Sequence, residues 1–530
     1  MKKTLFILLF ALINYTTITA QEFSVVKSDI FKDKKKHSYL SFAIDDQNEG
    51  LITIRGYKAG FPLKTTKGYY IQHFDKDLKL IKEYVYEVKK NRLESAFVKD
   101  GKLHLIEFEH LIKEKTINYN VVSTNLDKFN FTSKQLLSLS KENIKKYLPA
   151  GPILSLFLSS SNAQVDSDYM GEVTMSKSNN FFSIIFDFKN KEKETHKIFS
   201  FNNDFELLYE KLITKDIKDK LFKYNNVEVD DNDGSVYFLG KAFENNSTKR
   251  KRKGKANYHF ELIKVDAQGE KSISFKKPEK FIGTLSLVKN NDKLSCIGFF
   301  GNKKEEKYNG VCVFNLDSNT LSIKNEKFNL FTETFLTDKY GSNERRKSRK
   351  KKKGIADIEF RSVQAMDNGD LVINAEEDYL TTHTYSGANG SFRTRTIRHF
   401  DDIISLRVDI DGNLKWARNI NKAQTGYQNS SFTPISIGET TYLFINCSDK
   451  FKKLKGDRIS FKQTSAKKSN LYMISISGNG KFDYKKVIDR KDSEVFYKVN
   501  GGIAPDSKNE VILLGKKKKK SQIVKIKIQS

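Results

Sequence analysis

The side chains best typed for chemistry in this 530-residue chain gather between Glu376 and Asp402. The segment TTHTYSGANGSFRTRTIRHFDD, Thr381 to Asp402, reads as one long loop holding His383, Tyr385, Arg393, Arg395, Arg398, His399, Asp401 and Asp402. A guanidinium grips carboxylate or phosphate through a two-pronged fork. Imidazole and carboxyl groups trade protons in acid and base catalysis. Arg398, His399 and Asp402 beside Glu376 would suit a hydrolase or lyase acting on an acidic glycan. Glu376 and Glu377 form a carboxylate pair, but adjacent strand residues point to opposite faces, so at most one faces a given pocket.

Other chemistries lack their residue patterns. No Gly-x-Ser-x-Gly elbow, Gly-rich phosphate loop or His-Glu-x-x-His occurs. The stretch Asp230 to Gly234 resembles a calcium loop, yet Val229 stands where that loop needs its first Asp and no Glu follows at the twelfth position. It reads as a tight turn. The eight His residues are scattered without metal spacing. Three Cys, at 296, 312 and 447, are too few for a disulfide scaffold and read as small buried hydrophobes; Cys296 and Cys312 lie in neighbouring predicted strands, which leaves a bridge open. No metal and no cofactor is expected.

Charge is the other chemical signal. Lys and Arg number 94 against 65 Asp and Glu, a formal charge of +29. The surplus concentrates in five tracts: Lys34 to Lys36, Lys249 to Lys255, Arg345 to Lys353, Lys450 to Lys468 and Lys516 to Lys520. The candidate binding residues are Lys249, Arg250, Lys251, Arg252, Arg345, Arg346, Lys350, Lys351, Lys516 and Lys518, with Arg393 and Arg395. Such a field steers anionic partners in a salt-dependent way. The tracts carry few interleaved aromatics for base stacking, which argues against nucleic acid. The leading expectation is an exported, monomeric, non-enzymatic binding or scaffold protein engaging an anionic partner: envelope polysaccharide, lipopolysaccharide or an acidic envelope protein. The enzyme acting on acidic glycan is the alternative.

Export is read from the N-terminus. Lys2 and Lys3, the apolar run Leu5 to Ile13 and the small Ala20 follow the order of a secretory signal peptide over residues 1–20, leaving 21–530 as a single domain. The apolar run is far shorter than the roughly 20 residues of a membrane-spanning helix. The expected location is the periplasm, the outer membrane surface or the medium.

The elements that must position these side chains recur along the chain. A short apolar strand, a loop, a second strand ending in an Asp/Asn/Gly turn and a third strand repeat, most clearly in LITIRG with YYIQHFDKDLKLIKEY, SVYFLG with FELIKVDAQGEKSI, and DLVINA with DIISLRVDIDGNLKW. With a further segment ahead of each copy, the unit has four strands, the pattern of a propeller blade. The count is eight blades, with seven as the alternative. The last unit lacks its outer strand, so the mature N-terminus, 22–30, is expected to pair with 522–528 and close the ring. This topology sends all five basic tracts to one face and the acidic or neutral turns to the other. Within blade six, Asp411, Gly412 and Trp416 resemble the repeat of quinoprotein-type propellers. Ala375, Glu376 and Tyr379, followed by Asp-Ile-Ile, resemble uncharacterised exported propeller-like proteins of Gram-negative bacteria. That resemblance implies an all-β propeller fold and an exported compartment.

Overall fold

The computed structural model describes residues 23–144 and 170–529, less 36, 61–64, 89–90, 112, 189–192, 253–254, 291, 303–306, 351–354, 387–391, 427–429, 455–457 and 506–507. The chain runs as a succession of antiparallel sheets with four principal strands each. Blade one comprises His37–Asp45, Leu51–Ala59, Thr65–Phe74 and Leu80–Glu87. Blade two begins at Asn91–Lys99, blade three at Met170–Met175, blade four at Phe222–Val229 and blade five at Lys280–Ile282 with Ser286–Asn290. Blade six starts at Ile358–Ala365 and blade seven at Phe432–Ile437. The last sheet orders Phe496–Ile503, Glu510–Lys517, Lys520–Ile528 and, from the other end of the chain, Phe23–Lys27.

The first strands of these sheets touch in succession, and Phe496–Ile503 returns to His37–Asp45, so the sheets form a closed ring around a channel. This is an all-β propeller. Seven blades are each one continuous stretch of chain, which the alternative count of seven fits; the eighth unit of the expectation is the sheet drawn from both ends. In that sheet Phe23 stands opposite Ile528 and Lys27 opposite Val524. Ser28 extends the seam, its amide donating to the Ile523 carbonyl at 2.9 Å.

Local sequence explains the layers. Second and third strands are buried on both faces and read as continuous apolar runs; Val236–Phe243 is buried throughout. Outer strands such as Leu80–Glu87 are exposed along much of their length and carry Lys and Glu among their apolar residues. Adjacent blades lock through large side chains. Trp416 of blade six packs with Phe432, Leu443 and Tyr472 of blade seven. Gly480 comes so close that a Cβ there would meet the Trp416 Cβ at 2.8 Å, and its φ of 82° also favours glycine.

Two expectations need correction or completion here. Thr381 to Asp402 is mostly strand: Leu371–Ser386 and Phe392–Val408 pair as a long hairpin that carries blade six beyond its neighbours. The alternation of Thr, His, Tyr and Arg through 381–399 suits a two-residue period, and that signal outweighs the Gly-containing tip. Cys296 and Cys312 are both buried and free; Cys296 stands opposite Phe314 and Cys312 opposite Gly298. Burial raises the Cys312 thiol to about 12 and pushes Cys296 and Cys447 upward as well. All three should therefore resist Ellman's reagent in the native protein and react within the dead time of mixing in denaturant. A thiol reacting rapidly without denaturant would contradict the buried placement.

Among the described residues, no helix is long and apolar enough to cross a membrane. The expected signal peptide, 1–20, lies outside the described residues. The described residues of the basic tracts fall in or beside links between second and third strands or between one blade and the next, which emerge at the same end of the sheets.

Candidate functional site

Blade six concentrates charge at that end. Its first strand supplies Glu359 and Arg361, its second Glu376, Glu377, Asp378 and Tyr379, and its third Arg398, His399, Asp401 and Asp402. Glu359 stands directly opposite Glu376. Between Glu376 and Asp378 the register with the third strand slips, a bulge that re-aims side chains. As a result Arg361 spans both carboxylates, its Nε donating to Glu376 at 2.8 Å and its Nη2 to Asp378 at 2.7 Å. Arg398 grips the same Asp378 through Nε and Nη2, each at 2.6 Å.

Glu376 is fully buried and also bonds the Lys422 ammonium and, at 2.7 Å, the Ser431 hydroxyl. Lys422 is itself fully buried and donates to the Phe400 carbonyl at 2.7 Å. Burial lowers its pKa, opposed by the charge of Glu376. A carboxylate with this many donors cannot meet a substrate. Its work is to hold Arg361 and Lys422 in place.

A second group surrounds Asp402. The helix Glu333–Lys350, inserted between blades five and six, brings Lys339 to 2.9 Å from Glu377 and 3.0 Å from Asp402. Burial disfavours this ammonium, but Asp402 and Glu377 outweigh it and hold its pKa above the usual range. Asn419 donates to Asp402 at 2.9 Å and the Lys422 amide does so at 3.1 Å. The helix is interrupted at Gly341, φ 69° and ψ 161°. Arg458 donates to the carbonyls of Asp338 and Lys339 there, at 3.0 and 2.9 Å, which satisfies the end of the first helical segment. His399 shares a hydrogen bond with Thr381 at 2.8 Å and stacks on Tyr379 with ring centres 4.7 Å apart. Tyr379 donates to Asp401 at 2.6 Å; burial and that carboxylate raise its pKa.

The structure thus gathers all four predicted catalytic residues at one end of blade six, yet engages Glu376, Arg398 and Asp402 in ion pairs. Glu376 and Asp402 are thereby committed to holding cations, Lys422 and Lys339 among them. The open carboxyl is Glu359, which sequence reasoning passed over. It lines a cavity of about 310 Å³ with Tyr224, Asn225, Asn226, Leu285, Ser286 and Phe360, contributed by blades four, five and six at the channel. Burial raises its pKa and the Asp378 charge adds to this, while Arg361, Arg398 and Lys241 oppose it. The available signal was the spacing Glu359-x-Arg361 in a first strand, which puts two charges on one face. Among the described residues no cluster of His, Cys, Asp and Glu could hold a metal.

The predicted binding cations have varied fates. Lys516 is withdrawn into the fold, bonded to Asp33 at 2.6 Å and to Ser38 and Ser521 at 2.8 Å. Arg250 donates to the Tyr308 hydroxyl at 3.4 Å, and Lys251 lies 4.9 Å from the Phe281 ring centre. Lys249, Arg252, Arg395 and Lys518 are exposed. Arg345, Arg346 and Lys350 belong to the helix and Arg393 to the hairpin, with side chains outside the described set; Lys351 lies outside the described residues altogether.

No family model matches the chain, and no curated protein matches it. Solved structures do. The β-propeller domain of the trilobed protease from Pyrococcus furiosus is 12% identical, with 86% of this chain and 98% of that one covered and a TM-score of 0.35. A prolyl endopeptidase is 7% identical over 91% of this chain and 55% of its own, at 0.41. The acylaminoacyl peptidase of Pyrococcus horikoshii is 10% identical over 92% and 59%, at 0.36. The chain spans a little over half the length of the latter two. The expected scaffold with a free basic face is corrected: Lys516, one of the cations it relied on, is bonded inside the fold to Asp33, Ser38 and Ser521. At these similarities the likeness is one of fold, and by fold the chain is a β-propeller.

Proposed function

We propose that the protein is a hydrolase or lyase acting on an acidic glycan, with the reaction site at the channel beside blade six. The observation that carries this reading is Glu359, a carboxyl with a raised pKa that lines a half-open polar cavity within the field of Arg361 and Arg398. Acids of shifted pKa in clefts mark candidate sites. In hydrolysis and in elimination alike, the departing glycosidic oxygen needs a proton. Glu359 supplies it while protonated. Arg361, pinned by Glu376 and Asp378 with part of its side chain still exposed, attracts the uronate or sulfate of the sugar. Substrate binding is thus charge-assisted, and burial shifts the acid toward its neutral form.

The test is turnover on a panel of acidic polysaccharides, reading both reducing ends and the ultraviolet absorbance of an unsaturated product. Glu359→Gln should lower kcat by about 10²–10⁴-fold, the usual weight of a general acid, with KM little changed. Because the Glu359 pKa is raised, wild-type kcat should fall as pH rises through that value, and the Gln variant should lose this limb. Turnover retained by Glu359→Gln, or none by the wild type on any polymer, defeats the reading.

A further inference from the structure

Between blades five and six lies a second cleft, of about 240 Å³, at the end of the sheets away from the blade-six cluster. Blade five lines it with Asp292 and Lys293, at the turn into Lys293–Asn302. Blade six lines it with Gly369 and with Ile410 and Asp411, from the turn between Phe392–Val408 and Leu414–Ile420.

That last turn is held by its backbone. Asn315 of blade five donates to the Ile410 carbonyl at 2.9 Å and Asn325 to the Asp411 carbonyl at 2.5 Å. The two side chains are not used in this attachment, and Ile410 is 45% exposed. Lys293 reaches across to blade six. A Cβ on Gly369, where φ is 85°, would meet the Lys293 Nζ at 2.5 Å and the Ile410 Cδ1 at 3.0 Å. Ammonium and aliphatic side chain therefore stand side by side over bare glycine backbone.

Five charged residues line the cleft, and two are committed within the fold. Lys324 pairs with Asp317 at 2.9 Å, and Asp409 accepts from the Asn413 amide at 2.7 Å and its side chain at 3.0 Å. The other three, Asp292, Lys293 and Asp411, are exposed, and among the described residues none of them pairs with an opposite charge. Two open carboxylates and one open ammonium beside an exposed aliphatic side chain match a small zwitterion. A ligand ammonium has three N–H donors and can meet both carboxylates, while a ligand carboxylate answers Lys293. An aliphatic side chain covers Ile410 and removes its surface from water. The cleft is smaller than the roughly 300–1,000 Å³ of drug-sized sites, which excludes an oligosaccharide.

We propose that this cleft binds an α-amino acid with an aliphatic side chain: its ammonium at Asp292 and Asp411, its carboxylate at Lys293 and its side chain on Ile410. The site is independent of the reading of blade six.

Isothermal titration of the full chain tests this with leucine and two probes that each lack one of its charges, isopentylamine and isocaproate. Leucine should bind saturably at one site, and each probe about tenfold or more weakly. Asp411→Asn, which keeps the backbone bond to Asn325, should weaken leucine and isopentylamine about tenfold and leave isocaproate unchanged. Lys293→Met, which keeps the apolar stem, should weaken leucine and isocaproate and leave isopentylamine unchanged. Thermal melts of the two variants confirm that each is folded before titration. No saturable leucine binding by the wild type, a probe that binds as tightly as leucine, or a wild-type leucine isotherm from either folded variant would each overturn the proposal.

Discussion

Replacing Asp33 by Ala should cost about 3–5 kcal/mol of folding stability, the usual consequence of stripping one partner from a buried ion pair. Asp33 sits where the N-terminal segment crosses from the closing sheet to blade one. One carboxylate oxygen meets Arg55 at 2.8 Å; the other meets Lys516 at 2.6 Å and Ser38 and Ser521 at 2.7 Å. Arg55 is fully buried and lies 4.5 Å from the Phe31 ring centre and 5.0 Å from that of Tyr70, so it cannot turn to water. Without Asp33, two cations from opposite sides of the seam repel each other in a low dielectric. The double variant Asp33→Ala with Lys516→Met should recover part of the loss. Burial raises the Asp33 pKa, but Arg55 and the three donors outweigh it and hold the carboxyl below 3.8. Its contribution is therefore present above that value and lost as pH falls through the folded pKa. The gap between wild type and variant should narrow on acidification below about pH 4. Urea unfolding followed through the single tryptophan, Trp416, reads this from blade six. A shift under about 1 kcal/mol would show that the seam does not depend on Asp33.

Glu376→Ala should be comparably damaging, again about 3–5 kcal/mol. It leaves the fully buried Lys422 ammonium without its carboxylate and takes one of two anchors from Arg361. Lys422 already has a pKa lowered by burial, and losing Glu376 lowers it further. A lysine depressed in the fold must shed its proton to stay buried, so the deficit of the variant should shrink as pH rises toward 10.5, the ordinary lysine value. Glu376→Leu with Lys422→Met should restore most of the stability, because apolar pairs replace buried ion pairs at little cost. That double variant separates two roles: a fold near wild-type stability with weakened substrate binding identifies Glu376 as a positioning residue for Arg361. Single and double variants of equal stability would refute the pairing.

Much of the architecture was legible because strand pattern is a local property. The buried runs of second and third strands stand out residue by residue, and EFSVVK at the start, with no blade of its own, implied closure against the last strands. Trp416 and the Asp411-Gly412 turn marked the repeat in blade six: Gly412 adopts a φ of 81°, and its carbonyl accepts from Asn329 at 2.7 Å. The hairpin 371–408 was misread because its Gly-containing tip resembles a loop, although the arms alternate as strands do. Glu359 was passed over because one acid in a short inner strand carries no motif.

The order of strands, the closure of the ring and the crowding of Lys and Arg into a few connections are properties of the sequence by itself, since alternation and turn chemistry act over two to five residues. Which charges remain available was decided only by the tertiary structure. Asp33 and Lys516 are 483 positions apart, and Glu376 meets Lys422 and Ser431 across 46 and 55. Coulomb attraction and desolvation depend on distance and burial in space, and both come into being only when the blades close against one another.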